Sequence, residues 1–390
     1  MIFNTVAYYA LFLLPAAILY RAVALAFRPQ VCVVFGGAFF VYFSITAVGG
    51  IAGACCLLLF LWEALFSRVY RPGSRWCLAG VACAVAVLAA FKYWNFLVGL
   101  AIGQGSSLHW AGVFLPLGIS FFTFEFIHYA VDRRKGTAEP GSWWDYLAFI
   151  LFFPTMVAGP IKRFQDFLPA LRAPSTPWAE DWRCGVTRIL CGLAKKFAIA
   201  DVLTSFTDHL NHADIAAAER WVLPVWLLAY GMKIYCDFSA YSDIAIGSAR
   251  LFGIRVPENF DWPYLQANIA DFWRHWHISL SKWLTDYVFI PLGGSRVSAP
   301  AVYRNVLVTM LVSGVWHGAG LNFVVWGLWH GLLLCAHRLW TRLSPPGEHP
   351  SRARRVAGWA LTFVCVNAGW AVFCMDLPTA LHFAERLFGA

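Results

Sequence analysis

The sequence predicts an all-α, polytopic membrane protein, and three observations carry that reading. Of the 390 residues, 60% are hydrophobic and only 13% charged, against roughly 25% charged in an average soluble domain. Apolar stretches of about 20 residues, the length needed to cross a bilayer, recur from end to end. The basic residues fall in short groups between those stretches, at Arg71 and Arg75, Arg133 to Lys135, Lys162 and Arg163, Lys195 and Lys196, Arg338 and Arg342, and Arg352 to Arg355. That is how cytoplasmic loops look under the positive-inside rule. A soluble globule of this size must cover itself with polar residues, so here lipid has to cover much of the surface.

In chain order the apolar segments are 5–27, 31–47, 50–67, 77–103, 111–131, 144–160, 184–205, 219–236, 302–317, 321–341 and 356–376, about eleven spans. The N-terminus, Met1 to Tyr20, carries no basic leader and no small-residue cleavage site, so it reads as a retained first helix. Between about 237 and 300 the pattern changes. Short apolar pieces are broken by Asp237, Asp243, Pro257, Asn259, Pro263, Asn268, Arg274, His275, His277 and Pro291. Polar backbone at membrane depth survives only inside protein or along a wet cavity. This region therefore reads as short re-entrant or interfacial helices packed inside a bundle. Segment 345–355, with Pro345, Pro346 and Pro350, reads as a loop. With no internal repeat and no soluble stretch long enough to fold alone, residues 1–390 read as one membrane domain.

The net charge of +9 follows from the loop groups and does not call for a nucleic-acid partner. The eleven cysteines lie mostly inside apolar runs and lack the spacing of a zinc site, so they read as small buried hydrophobes.

Ionisable groups in membrane-embedded sequence are costly and mark function. The sharpest case is the run Ser313-Gly314-Val315-Trp316-His317-Gly318-Ala319, which ends an apolar segment. The unperturbed pKa of a histidine, about 6.5, suits a general base at neutral pH, and His317 is the candidate. It reads equally as a core histidine bonded to a neighbouring helix. The second case, Asp271 to Trp283, mixes aromatic and basic residues as an interfacial helix does. That pattern leaves His277, beside two serines, unexplained. His275 and His277, two apart, face different sides of a helix. A metal shared by His277, His317 and His330 lacks a carboxylate at helical spacing, so no metal ligand is assigned. In the third case, Tyr235 to Asp243, Asp237 and Asp243 either orient a histidine or cap helices. Glu125 and His128 read as a structural hydrogen-bonding pair of positions within an apolar run.

Five runs stand in order along the chain: Leu115 to Phe124, Ala158-Gly159-Pro160-Ile161-Lys162-Arg163-Phe164, Asp237-Phe238-Ser239-Ala240-Tyr241-Ser242-Asp243, Asp271 to Leu280, and Ser313 to Gly318. Together they resemble the bacterial branch of the membrane-bound O-acyltransferases, the branch of alginate O-acetylation and of D-alanine export onto teichoic acids. The resemblance covers most of the chain. His275 stands where that family usually has arginine, Ala240 where glycine is usual and Glu125 where glutamine is common. The chain ends sooner after His317 than the alginate-type proteins do.

The resemblance implies a ring of helices around a central tunnel, with His317 as general base and His277 across the reaction centre. Asp237, Asp243, Asn268, Trp276, Ser313 and Trp316 are the implied substrate-binding positions. A histidine that removes the hydroxyl proton during attack on a thioester is worth about 100- to 10,000-fold, and a donor to the oxyanion adds a comparable factor. The implied donor is an acyl thioester on the cytoplasmic side, acetyl-CoA first and a D-alanyl carrier protein second. The implied acceptor is a hydroxyl of an extracytoplasmic partner protein or glycan. No cofactor is expected, and the setting is the bilayer of a bacterial inner membrane. A transporter is the reading from another class, but no pair of broken helices recurs in corresponding halves of the chain.

Overall fold

The computed structural model describes residues 2–48, 56–103, 106–110, 115–174, 177–345 and 351–389. Among the described residues it is all helical apart from one isolated antiparallel bridge between Phe260 and Trp276. Pro346 and Pro350 of the expected loop, and the starts of the 50–67 and 111–131 segments, lie outside the described residues.

The helices used below are α1 (Arg28–Val48), α2 (Arg75–Ile102, with a π-helical turn at Ala89–Tyr93), α3 (Ile119–Lys135), α4 (Trp178–Ala194) and α5 (Val222–Leu251). After them come α6 (Ile269–His275), α7 (Ile278–Leu284), α8 (Ala299–His317), α9 (Leu321–Leu343) and α10 (Arg352–Cys374). Among the described residues, three helical stretches are long and apolar enough to cross a membrane by themselves: Leu25–Thr46, Arg75–Ile102 and Arg352–Cys374. Less than half of each is buried in protein, and lipid is what covers the remaining apolar surface. Helices such as α5 and α9 have the length of a span, but charged or histidine side chains punctuate their apolar sequence, Lys233, Asp237 and Asp243 in one and His330, His337 and Arg338 in the other.

The chain forms two compact units, Met1–Leu193 with Tyr241–Glu258, and Ala194–Ala240 with Asn259–Ala390. The first is built on phenylalanine. Phe39, Phe40, Phe60, Phe122, Phe149 and Phe153 are buried in one cluster, with edge-to-face contacts such as Phe60 on Phe122 at 4.8 Å between centroids. Burying several such rings on one face is what holds helices together where lipid offers no competing water. The second unit is built on tryptophan: Trp273, Trp276, Trp326 and Trp370 form its core with Phe272 and Met310.

The polar 237–300 region differs from the sequence reading in one respect. Asp237 and Asp243 do not break the chain. α5 runs through both without interruption, because each carboxylate has a cation. Lys196 Nζ lies 2.9 Å from Asp237 in the second unit, and Arg188 pairs with Asp243 in the first. The regular helix ends near Gly253, whose φ of +78° favours glycine. Only beyond it do short helices appear.

Candidate active site

α8 and α9 bring their backbones together at glycines. A Cβ built on Gly327 would stand 2.5 Å from the Met310 carbonyl oxygen, and one on Gly314 would strike the Phe323 carbonyl. Only glycine permits that approach. It places His317, the last residue of α8, against Trp326 of α9, with ring centroids 5.0 Å apart and planes at 83°. Phe373 of α10 closes a second side at 5.1 Å, and Trp316 a third at 4.8 Å. His317 is half-buried in this aromatic wall. Ser313, one turn earlier on α8, is fully buried, and its Oγ has no hydrogen-bond partner.

His277 is built differently. The sequence reading put it on one interfacial helix with His275. The structure separates them, since α6 ends at His275 and α7 begins at Ile278. His277 lies between in the left-handed region, with φ 45° and ψ 54°. For a bulky residue that conformation is strained, and it persists only where its surroundings impose it. Here they do. Residues 259–261 lie antiparallel to 275–278, with Asp261 N–H donating to His275 O (3.0 Å) and Ile278 N–H to Asn259 O (2.9 Å).

The His277 ring is buried, edge-on to Phe238 at 4.6 Å and 6.1 Å from Trp316. Its Nδ1 lies 3.1 Å from Asn259 Oδ1, and its Nε2 is buried with no hydrogen-bond partner. Neither flanking helix, seven residues each, is long enough to span a membrane. Burial first, and then the charge of nearby His317, hold this imidazole well below the usual histidine range, so it is neutral near pH 7.

The second unit thus brings together His317, His277, Trp316 and Ser313, with the Trp316 ring in contact with both imidazoles. Trp276 is buried in the same core, stacked on Phe272 at 5.5 Å. Asn268 instead caps α6, accepting from the Asp271 amide at 2.9 Å. Asp237 stays in the second unit, tied to Lys196, whereas Asp243 is buried in the first unit against Arg188. His330, on α9, packs between Trp326 (4.8 Å) and Trp273 (5.1 Å), and both its nitrogens lack hydrogen-bond partners. Among the described residues, no three His, Cys, Asp or Glu side chains are grouped to hold a metal ion. Glu125 makes an ion pair with Lys162 of the Ala158–Phe164 run, both buried. That is the structural role its place in an apolar run suggested. Sequence reasoning missed Asn259 as a site residue. Its one visible signal was a polar amide interrupting a short apolar stretch.

The sequence profile of the membrane-bound O-acyltransferase family matches residues 137–372, more than half of the chain. The chain belongs to this family. Among its relatives, the probable alginate O-acetylase of Pseudomonas putida is 39% identical over 329 residues, which is 82% of this chain and 65% of that protein. The peptidoglycan O-acetyltransferase of Helicobacter pylori is 32% identical over 80% of this chain and 64% of its own length. The teichoic acid D-alanyltransferase of Bacillus subtilis is 28% identical over 82% of this chain and 85% of its own length. The chain therefore spans less than two thirds of the alginate O-acetylase of Pseudomonas putida and of the peptidoglycan enzyme. The Trp316-His317-Gly318 and Trp276-His277-Ile278-Ser279 runs both lie inside the profile match.

Proposed function

We propose that this protein is a multi-pass O-acyltransferase of a bacterial inner membrane, moving an acyl group from a cytoplasmic thioester to a hydroxyl beyond the membrane. Acetyl-CoA is the donor, and the acceptor is a hydroxyl of a partner protein or glycan in cell-surface polysaccharide modification. The observation that carries the reading is the pair of imidazoles, His317 and His277, both in contact with the Trp316 ring in the aromatic core of one unit. His317 takes the hydroxyl proton as the oxygen attacks the thioester carbonyl, and His277 assists. A setting of tryptophan and phenylalanine excludes the water that would compete for the acyl group. Trp316, Trp276 and the open Ser313 hydroxyl line the substrates. Asp237 and Asn268 act at a distance within the same unit, by holding α5 and α6, and Asp243 holds α5 through Arg188. The remaining spans complete a ring of about eleven around a tunnel through which the acyl group passes. No metal or cofactor takes part.

Transfer of D-alanine from a carrier-protein thioester is the second reading. What favours it is the similarity to the Bacillus subtilis D-alanyltransferase, which runs over 82% of this chain and 85% of that protein. The test is free-thiol release by the purified protein with acetyl-CoA, wild type against His317→Ala and His277→Ala. Release by wild type and none by folded His317→Ala is expected. Consumption of a D-alanyl carrier in place of acetyl-CoA selects the second reading. No consumption of either thioester, with acceptors added, overturns both in favour of a transporter.

A further inference from the structure

Asn259 is fully buried, and its side-chain oxygen is where three groups meet. The Ser279 amide lies 3.2 Å away, the Ser279 hydroxyl 2.7 Å and His277 Nδ1 3.1 Å. A backbone N–H only donates, so the atom it meets is the Asn259 oxygen and not its nitrogen. The orientation of the amide thus follows from the backbone. His277 Nδ1 faces the same oxygen, and two lone pairs at that distance repel, so Nδ1 carries the hydrogen. In a neutral imidazole the other nitrogen is then a bare lone pair. That atom, Nε2, is buried and unpartnered. The main chain of Asn259 adds to the clamp, its carbonyl accepting from Ile278 N–H next to the strained His277 backbone.

We propose that Asn259 is a positioning residue that fixes His277 in the Nδ1–H tautomer, so that His277 meets substrate as a proton acceptor and not as a donor to the oxyanion. This inference rests on the acyl-transfer reading and refines the assistance assigned to His277 there. The bookkeeping of the step is consistent with it. The bond from the hydroxyl oxygen to the acyl carbon forms and the C–S bond breaks. The hydroxyl proton passes to an imidazole lone pair and ends on the departing thiolate sulfur. His277 Nε2 is kept permanently ready for that traffic beside His317, and donation to the oxyanion falls to another group. The arrangement follows the logic of catalytic triads, in which a third side chain sets the tautomer of the base.

The test compares wild type, Asn259→Ala and Asn259→Asp, as full-length protein in lipid vesicles with acetyl-CoA. Thiol release is followed from about pH 5 to about pH 9, with 15N NMR of the histidine ring nitrogens. Asn259→Ala loses the preferred tautomer, and release falls about 10- to 100-fold, the usual cost of removing such an orienting partner. Asn259→Asp accepts the same hydrogen bonds and recovers much of the rate. Its charge favours imidazolium, so the acid limb of its profile moves up by about one pH unit or more. His317 is the titratable group that already acts on His277, whose other ring neighbours are Phe238 and Trp316, so such a shift reports the new carboxylate. A merely structural Asn259 moves neither the tautomer nor the limb. Full activity in Asn259→Ala, or an unshifted limb in a folded, active Asn259→Asp, overturns the inference. A wild type that consumes no thioester overturns the acyl-transfer reading instead. The NMR arm still decides the tautomer in that case, because an Nε2–H signal from wild-type His277 overturns the role of Asn259 without any turnover.

Discussion

Gly314 of α8 and Gly327 of α9 lie so close that a Cβ on Gly314 would stand 3.0 Å from the Gly327 Cα. His317 is three residues beyond Gly314, so this contact sets where the imidazole sits against Trp326. Gly314→Ala must push the two backbones apart, because the obstruction is a carbonyl and not a movable side chain. Overpacking of this kind costs about 1 to 3 kcal/mol. The expected result is a lower melting temperature in detergent together with reduced thiol release. If neither changes, the contact does not set the position of His317.

The buried pair Glu125–Lys162, with side chains 4% and 2% exposed, makes a prediction of the opposite kind. The Lys162 ammonium also sits 4.6 Å over the Phe149 ring. Removing one member of a buried pair leaves a lone charge, at a cost of about 3 to 5 kcal/mol. Lys162→Met is therefore expected to melt much earlier than wild type. Lys162→Met combined with Glu125→Gln is expected to recover much of the loss, since no charge is then stranded. A double variant as unstable as the single one would show that packing, and not charge, is what the pair supplies.

The membrane setting and the Trp-His motifs were legible because they are local. Apolar content, loop charge and the Ser313 to Gly318 run can be read without knowing what folds against them. What was not legible depends on partners distant in the chain. Asp243 looked like a helix breaker because its cation, Arg188, is 55 residues away. His277 looked like part of an interfacial helix because the segment that holds it out of helical geometry begins 18 residues earlier, at Asn259. Gly314 stands in the legible Ser313 to Gly318 run, but nothing in its neighbourhood pointed to Gly327.

Ser313 separates packing from function. Its hydroxyl is buried and unpartnered, so Ser313→Ala removes an unsatisfied group and is expected to leave the melting temperature unchanged or raise it slightly. If the hydroxyl binds substrate, thiol release falls or the apparent KM for acetyl-CoA rises even though stability does not drop. Unchanged kinetics in a stable Ser313→Ala protein would remove Ser313 from the site.

The neutral state of His277 has a signed consequence for stability. Burial, reinforced by His317, depresses its folded pKa well below the ordinary 6.5. Below pH 6.5 the unfolded chain binds a proton that the folded chain refuses, so stability falls as pH drops from there toward the folded pKa. Above pH 6.5 this group contributes no slope. Replacing His277 with Gln removes the proton from the balance. Between about pH 7.5 and about pH 5.5, the melting temperature of wild type is expected to fall further than that of His277→Gln. The sign matters more than the size, because the histidines other than His317 act equally in both proteins and cancel in the comparison. An equal fall in the two would mean that His277 is protonated in the folded protein at the lower pH, and that its Nε2 is then no longer an open lone pair.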